Sequence, residues 1–331
     1  MRIIGIDIGG ANTKIASSDG EIIELHYIPL WKDTTLPSSL EDIADKLRPD
    51  RVCVVMTGEL ADCFEDKLQG IEFIMSSVNN AFDCEVKYIN SRGDFYESSE
   101  NIRDLAAANW AASTRLIGTE IGDCMFVDVG STTSDIIPIK NGIHLAGLTD
   151  FSRLIRKELF YAGILRTNLA FLLEKVNVAD GDCNIASELF STTADAYLLL
   201  GDISEEIYTC DTADGAGKTR KEAMRRLARI VCADLTEIST DELQNIARQV
   251  KERQVELLSE SIDIVAKRNN LNRIVSAGIG EFLIEEVADK LGFEYISVAR
   301  KWGSDISKVF PAYAAAKIME NELMMLKSRK E

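Results

Sequence analysis

The sequence predicts an α/β protein built from two strand-rich lobes, with a helical insertion in the second. Three observations predict it. A short apolar strand runs into an Asp-x-Gly turn at GIDIGGANTK, residues 5–14. The same pattern returns at VDVGSTTSD, residues 127–135, again between strand-like segments. Around them lie long stretches whose apolar residues recur at helical spacing. A chain of 331 residues suits two lobes better than one small core.

In chain order, RIIGIDI, TKIASS and EIIELHYIPL read as three strands separated by turn signals such as SDG. SLEDIADKL fits an amphipathic helix, RVCVVM a buried strand, residues 66–82 a helix and EVKYIN a strand. A long helix is expected over roughly 100–118, around DLAAANWAASTRLI. From residue 123, CMFVDVG, TSDIIPIK and IHLAGL repeat the strand order of the N-terminus. The stretch 152–268 reads as almost wholly helical. NRIVSAGIGEFLIEEVADKLG then reads as strand, glycine turn and helix, and EYISV as a further strand. The last helix starts near Pro311, with Ala312, Ala315, Ala316, Met319 and Leu323 on one face. The predicted division is a first lobe over 1–118 and a second over 119–310 that includes the insertion 152–268. Helix 311–327 is expected to pack back on the first lobe.

The formal net charge of −17 argues against a nucleic-acid backbone or an anionic membrane as the main partner. No apolar run approaches the roughly 20 residues that cross a bilayer, and the N-terminus lacks a signal-peptide pattern. Seven scattered cysteines without a CxxC pair predict free thiols and a cytoplasmic location. With only His26 and His144 present, a histidine-rich metal site is excluded. An anion must therefore be held locally, by backbone N–H groups, a few cations or a divalent metal.

The two glycine loops offer that. Gly9 and Gly10 let the backbone turn sharply and bring its N–H groups close to a ligand. Asn12 and Thr13 add side-chain hydrogen bonds, and Lys14 adds a point charge. Gly130, Ser131, Thr132 and Thr133 repeat that chemistry. Asp7 and Asp128 would repel a phosphate directly, so they make sense as holders of a shared Mg²⁺. Asp135 is a further candidate for metal, water or proton transfer. Two such hairpins facing each other would clamp a phosphate chain; taken singly, each is also an ordinary turn. The AGIGE turn, with Gly278, Gly280 and Glu281, is either a ligand loop at a helix N-terminus or a tight strand–helix connection.

Other residues carry two readings. Glu59 and Asp62 in TGELAD either reach a cleft or start a helix. Asn109 and Trp110 either face a ligand or pack in the core. Arg166, followed by Thr167, either meets a carboxylate or diphosphate or caps a helix. Trp31, beside Lys32, is either core or an aromatic stacking surface. GAGKT at 215–219 lacks the first glycine of a Walker A loop and reads as an exposed loop, from which Asp211 and Asp214 can still reach a cleft.

The two Asp-x-Gly hairpins and the late glycine turn resemble the superfamily of acetate and sugar kinases, heat-shock ATPases and actin. The resemblance implies a two-lobed actin-like ATPase (ribonuclease H-like) fold. By matching position, Asp7, Gly9, Gly10, Thr13 and Lys14 would be its first phosphate loop. Asp128 and residues 130–133 would be the second, and Gly278 and Gly280 the nucleotide turn. A closer resemblance runs nearly end to end through TGELAD, AANWAAS, LTDFSRL, ELFYAGILRT, SELFSTTAD, YTCDTADG and ISVARKWGSDIS. These segments are similar to the archaeal enzymes of methanofuran biosynthesis, related to hydantoinases and oxoprolinases. That likeness implies a transferase that joins γ-glutamyltyramine to an aminomethylfuran methyl diphosphate and releases diphosphate. Mg²⁺ is the implied cofactor; a bound ATP or other nucleotide is compatible with the fold but not required by the reaction. Asp7, Asp135 and Glu59 remain unranked candidates for the base. An ATP-dependent small-molecule kinase and a non-catalytic nucleotide sensor are the rival readings, and a homo-oligomer is compatible with all of them.

Overall fold

The computed structural model describes residues 1–31, 35–178 and 181–328. Lys32, set beside Trp31 above, lies outside the described residues. In the first lobe, β1 (Ile3–Gly9), β2 (Asn12–Ser17) and β3 (Ile23–Tyr27) form an antiparallel meander. After α1 (Leu36–Leu47), β4 (Arg51–Thr57) joins β1 in parallel; after α2 (Lys67–Ala81), β5 (Glu85–Tyr88) joins β4. The sheet order is β3-β2-β1-β4-β5. Both helices cover one face: Leu36, Leu40, Ile43 and Leu47 of α1 are buried at helical spacing.

The helix expected over 100–118 is shorter. Ile102–Leu105 is a single 3-10 turn, and α3 spans Asn109–Glu120. Between them Ala107 has φ 49°, which no α-helix tolerates, and the Ala108 N–H donates to the Met56 carbonyl of β4 at 3.1 Å.

The second lobe begins with β6 (Cys124–Val129), β7 (Ser134–Lys140) and β8 (Ile143–His144), again an antiparallel meander. Next come α4 (Asp150–Ile155), β9 (Leu159–Phe160), α5 (Leu169–Leu172), β10 (Lys175–Val178), β11 (Gly181–Asn184), α6 (Thr193–Leu200), α7 (Arg220–Arg229) and α8 (Thr240–Asn269). The insertion is thus not wholly helical. β9 pairs with β7, and β10 and β11 form a separate hairpin. These strands are too short to show a period of two in the sequence. β12 (Arg273–Ala277), α9 (Glu281–Leu291) and β13 (Glu294–Ser297) complete a sheet ordered β13-β12-β6-β7-β8, with β12 parallel to β6. The chain closes with α10 (Val298–Trp302), α11 (Ser304–Lys308) and α12 (Phe310–Ser328). GAGKT is no phosphate loop: Thr219 caps α7, and the Gly217 N–H donates to Glu222 Oε1 at 3.2 Å.

Helices α3 and α12 fill the space between the two sheets in one apolar cluster. The strand pleat sends alternate residues to opposite faces. In β1, Ile4, Ile6 and Ile8 face the outer cluster with α1 and α2, while Ile3 faces inward. Gly5 shares that inner face, and α12 lies directly on it. A Cβ at Gly5 would stand 1.8 Å from the Ala312 carbonyl oxygen. The alanine face of α12 is what permits this approach. In β6, Cys124 and Phe126 face inward and Met125 and Val127 outward. The next inward positions, beyond the reach of the helices, are Asp7 and Asp128.

Gly5→Ala therefore has no room except by displacing α12. It is expected to lower stability by about 1–3 kcal/mol or more, read by urea unfolding; a variant as stable as the parent would contradict the packing described.

Candidate active site

The pleat carries four charged side chains to the inner faces of the two sheets. Asp7 of β1 stands directly across from Lys14 of β2, and Asp128 of β6 directly across from Asp135 of β7. The two hairpins end on opposite walls of a single cleft of about 450 Å³. Asp7, Gly9, Gly10, Asn12 and Lys14 line one wall; Asp128, Gly130, Ser131, Thr132, Thr133 and Asp135 line the other. Glu59, Asp62, Asn109 and Arg166 also line it, as does Trp31, which is a cleft wall rather than core. Trp110, by contrast, is buried in the central cluster.

Thr13 is not among these residues. One step along β2 from Asn12 and Lys14, its side chain points to the other face and is fully buried. Gly278, Gly280 and Glu281 also stay outside the cleft lining. Gly278, at φ 88°, sits behind Asp128: a Cβ there would lie 2.3 Å from Asp128 Oδ1. The Gly280 N–H donates to the Val129 carbonyl at 3.0 Å. Glu281 accepts hydrogen bonds from the hydroxyls of Ser297 and Ser307 and from the Ala299 N–H. The turn thus buttresses the second loop and ties it to the C-terminal segment.

The loops themselves are poised for an anion. Among the described residues, no protein acceptor takes the N–H groups of Gly10, Ala11, Ser131, Thr132 or Thr133. The second loop is held from behind, where the N–H groups of Ile164, Leu165 and Arg166 donate to the Gly130 and Ser131 carbonyls at 3.0 Å. Only glycine fits at 163, since a Cβ would meet the Ser131 carbonyl carbon at 2.5 Å.

The cleft is nevertheless acidic. Its carboxyl groups, from Asp7, Glu59, Asp62, Asp128, Asp135 and Asp150, outnumber its cations, Lys14, Arg153 and Arg166. Lys14 Nζ lies 3.3 Å from Asp7 Oδ2. Burial acts to lower the Lys14 pKa, but Asp7, Asp128 and Asp135 outweigh it and hold the ammonium above its ordinary value. Burial also pushes Asp128 up to about 7, with Asp135, Asp7 and Glu281 adding to it and Lys14 opposing. Asp135 is raised as well, first by burial, against the pull of Arg153. Like charges directly opposite in a sheet repel, and Arg153 relieves this pair. It donates to Asp135 at 2.5 Å and Asp150 at 2.7 Å, and its guanidinium stacks 4.8 Å from the Trp110 ring. The sequence reading passed over Arg153 and Asp150. Their signal was the capping Thr149 followed by an acid and a base three residues apart.

Glu59 differs from the other carboxyls. It is 2 % exposed, and its Oε2 has no hydrogen-bond partner among the described residues. Burial pushes its pKa up to about 7, although its own N–H and that of Ala107 oppose the shift. The left-handed turn at Ala107 that ended the predicted helix thus serves Glu59.

The Hydantoinase/oxoprolinase family model matches residues 50–322. The chain belongs to that family. It is 42% identical, over 98% of its length and 99% of the relative's, to the (4-{4-[2-(γ-L-glutamylamino)ethyl]phenoxymethyl}furan-2-yl)methanamine synthase of Methanocaldococcus jannaschii. It is 37% identical to the Methanococcus vannielii protein of the same name, over 61% of this chain and 92% of that one. Among solved structures, acetone carboxylase in a nucleotide-free form matches at TM-score 0.53 and 10% identity, covering 95% of this chain and 70% of that chain. A ROK-family glucokinase from Streptomyces griseus, in complex with glucose and AMPPNP, matches at 0.50 and 11%, covering 96% and 99%. At such identities these two show the fold alone: two-lobed and actin-like, with an insertion in the second lobe.

Asp128 and Glu59 titrate above their unfolded values of about 4, so the folded protein holds the extra protons. Their stabilising contribution is complete below about pH 4 and is lost as pH rises through about 7. Asp128→Asn should raise Tm above pH 7 in metal-free buffer and change it little near pH 4. A Tm difference independent of pH would contradict the assigned shift.

Proposed function

We propose that the chain is a transferase of methanofuran biosynthesis: it joins the phenol oxygen of γ-glutamyltyramine to the methylene carbon of an aminomethylfuran methyl diphosphate. The new C–O ether bond forms as the carbon–oxygen bond to diphosphate breaks, and the phenol proton passes to a base. The observation that carries this reading is the near full-length identity to synthases named for the ether product. The cleft supports it, because opposed glycine loops with free amides suit a diphosphate leaving group.

A divalent cation fits the residues present. Asp7 Oδ1 is buried without a hydrogen-bond partner among the described residues, and acids outnumber cations around loops that offer amides to an anion. Mg²⁺ binds through one or two carboxylates plus phosphate and water. Asp7 and Asp128 would hold it, and when bound it would neutralise charge building on the departing diphosphate. Lys14 adds a fixed positive charge, and the amides of Gly10, Ala11 and Ser131–Thr133 take up phosphate oxygens.

Among the three candidate bases, Asp7 is paired with Lys14 and Asp135 with Arg153. Each already has a cation in ion-pair contact. Glu59 has no ion pair among the described residues and is pushed up to about 7, so it is the base we assign. The furan ring helps its methylene carbon bear positive charge, so the carboxylate needs only to take the proton as the ether forms. Diphosphorylated small molecules and free cysteines both suit a reducing cytoplasm.

The test is incubation of the protein with both substrates and Mg²⁺, followed by mass spectrometry for the ether and an assay for diphosphate. Ether and diphosphate in equal amounts are expected. No ether, or phosphoryl transfer from labelled ATP instead, would overturn the reading. Glu59→Gln should lower kcat by about 10²–10⁴-fold and remove the rise in rate as pH passes through about 7. A variant that keeps that pH profile would transfer the role to another residue.

A further inference from the structure

Beside the cleft lies a smaller annex of about 70 Å³. It shares Ala11, Asn12, Trp31, Ser131 and Arg166 with the cleft, so the two lie side by side. Tyr27, Thr209, Cys210 and Asp211 complete its wall. Its central feature is Arg166, whose guanidinium stacks 4.9 Å from the Trp31 ring. Trp31 belongs to the first lobe and Arg166 to the second, and the Arg166 N–H is fixed on the Ser131 carbonyl at 3.0 Å. Stacking on an indole leaves the N–H edge of a guanidinium free to meet a planar anion in a bidentate pair.

We infer that Arg166 in this annex binds the α-carboxylate of the γ-glutamyl end of the phenolic substrate. This rests on the reaction proposed above. Two arguments select that group. The amine at the furan end would be repelled by a guanidinium. The phosphate-binding parts, Lys14 and the loop amides, already lie in the main cleft. The γ-glutamyl end remains, with an α-carboxylate and an α-ammonium, and of these two a guanidinium takes the carboxylate. The residue so placed sets specificity: it distinguishes γ-glutamyltyramine from phenols that lack an anionic tail.

The test compares γ-glutamyltyramine with its α-carboxamide, which removes the negative charge at nearly the same size. Binding is followed by calorimetry without the second substrate, and inorganic diphosphate with Mg²⁺ is titrated in parallel. The parent protein should prefer the free acid by about 10- to 100-fold, the range of a charge-assisted hydrogen bond. Arg166→Gln should lose most of that preference, and Arg166→Lys, which keeps charge but not the fork, should lose part of it. Neither substitution should weaken diphosphate binding. Survival of the preference in Arg166→Gln, absence of preference in the parent, or a loss of diphosphate affinity instead would overturn the assignment. The ether assay separates the two claims. No ether from the parent refutes the reaction, whereas the binding preference alone decides the annex.

Discussion

Two carboxylates stand directly across from each other at the end of a β-hairpin, Asp128 against Asp135. Burial pushes both upward in pKa, with Asp135 adding to the rise of Asp128 and Asp150 to that of Asp135. The surroundings answer the two groups differently. Arg153, itself buried and stacked on Trp110, neutralises Asp135 permanently. For Asp128, Lys14, shared with Asp7, is the cation that opposes the shift among the described residues. One acid is thus compensated by the fold, and in the proposed reaction the other would be met by a cation brought with the ligand.

The fold creates the site by ending its helices early. α3 and α12 fill the gap between the sheets along most of the inner faces. Gly5 brings α12 onto the backbone of β1. One pleat further on, the inward residues have no helix to pack against, and these are the aspartates. The turns after them point into the gap, so the amides of both loops converge from opposite walls. Close packing and the cleft are two consequences of one register. The insertion takes part through residues 164–166, whose amides hold the second loop from behind.

Much of this was legible in the sequence because hairpins with Asp-x-Gly turns are local. Both glycine loops, the three-strand order around each, and Asp7, Lys14, Asp128 and Asp135 as cleft residues can be read from motif and alternation. The rest depends on the third dimension. Thr13 belongs to the loop motif, yet the pleat turns it away from the cleft. Gly278 and Gly280 sit at a strand–helix turn suited to a ligand, yet Asp128 and Val129 fill the space beside them. The alanine run before Asn109 has every local reason to be helical, but contacts with the end of β4 and with Glu59 impose a left-handed residue at Ala107. Arg153 gave only a capped acid–base pair, and its meeting with Asp135 depends on β9 folding back along β7.

The central claim is that a divalent ion and a diphosphate are held together between Asp7 and Asp128. It is tested most directly by crystals grown with Mn²⁺ and diphosphate, in which anomalous scattering locates the metal. The account predicts a peak within coordination distance of both carboxylates, with phosphate oxygens on the amides of both loops. A metal bound elsewhere, or a diphosphate seated on the loops with no metal beside those aspartates, would contradict it.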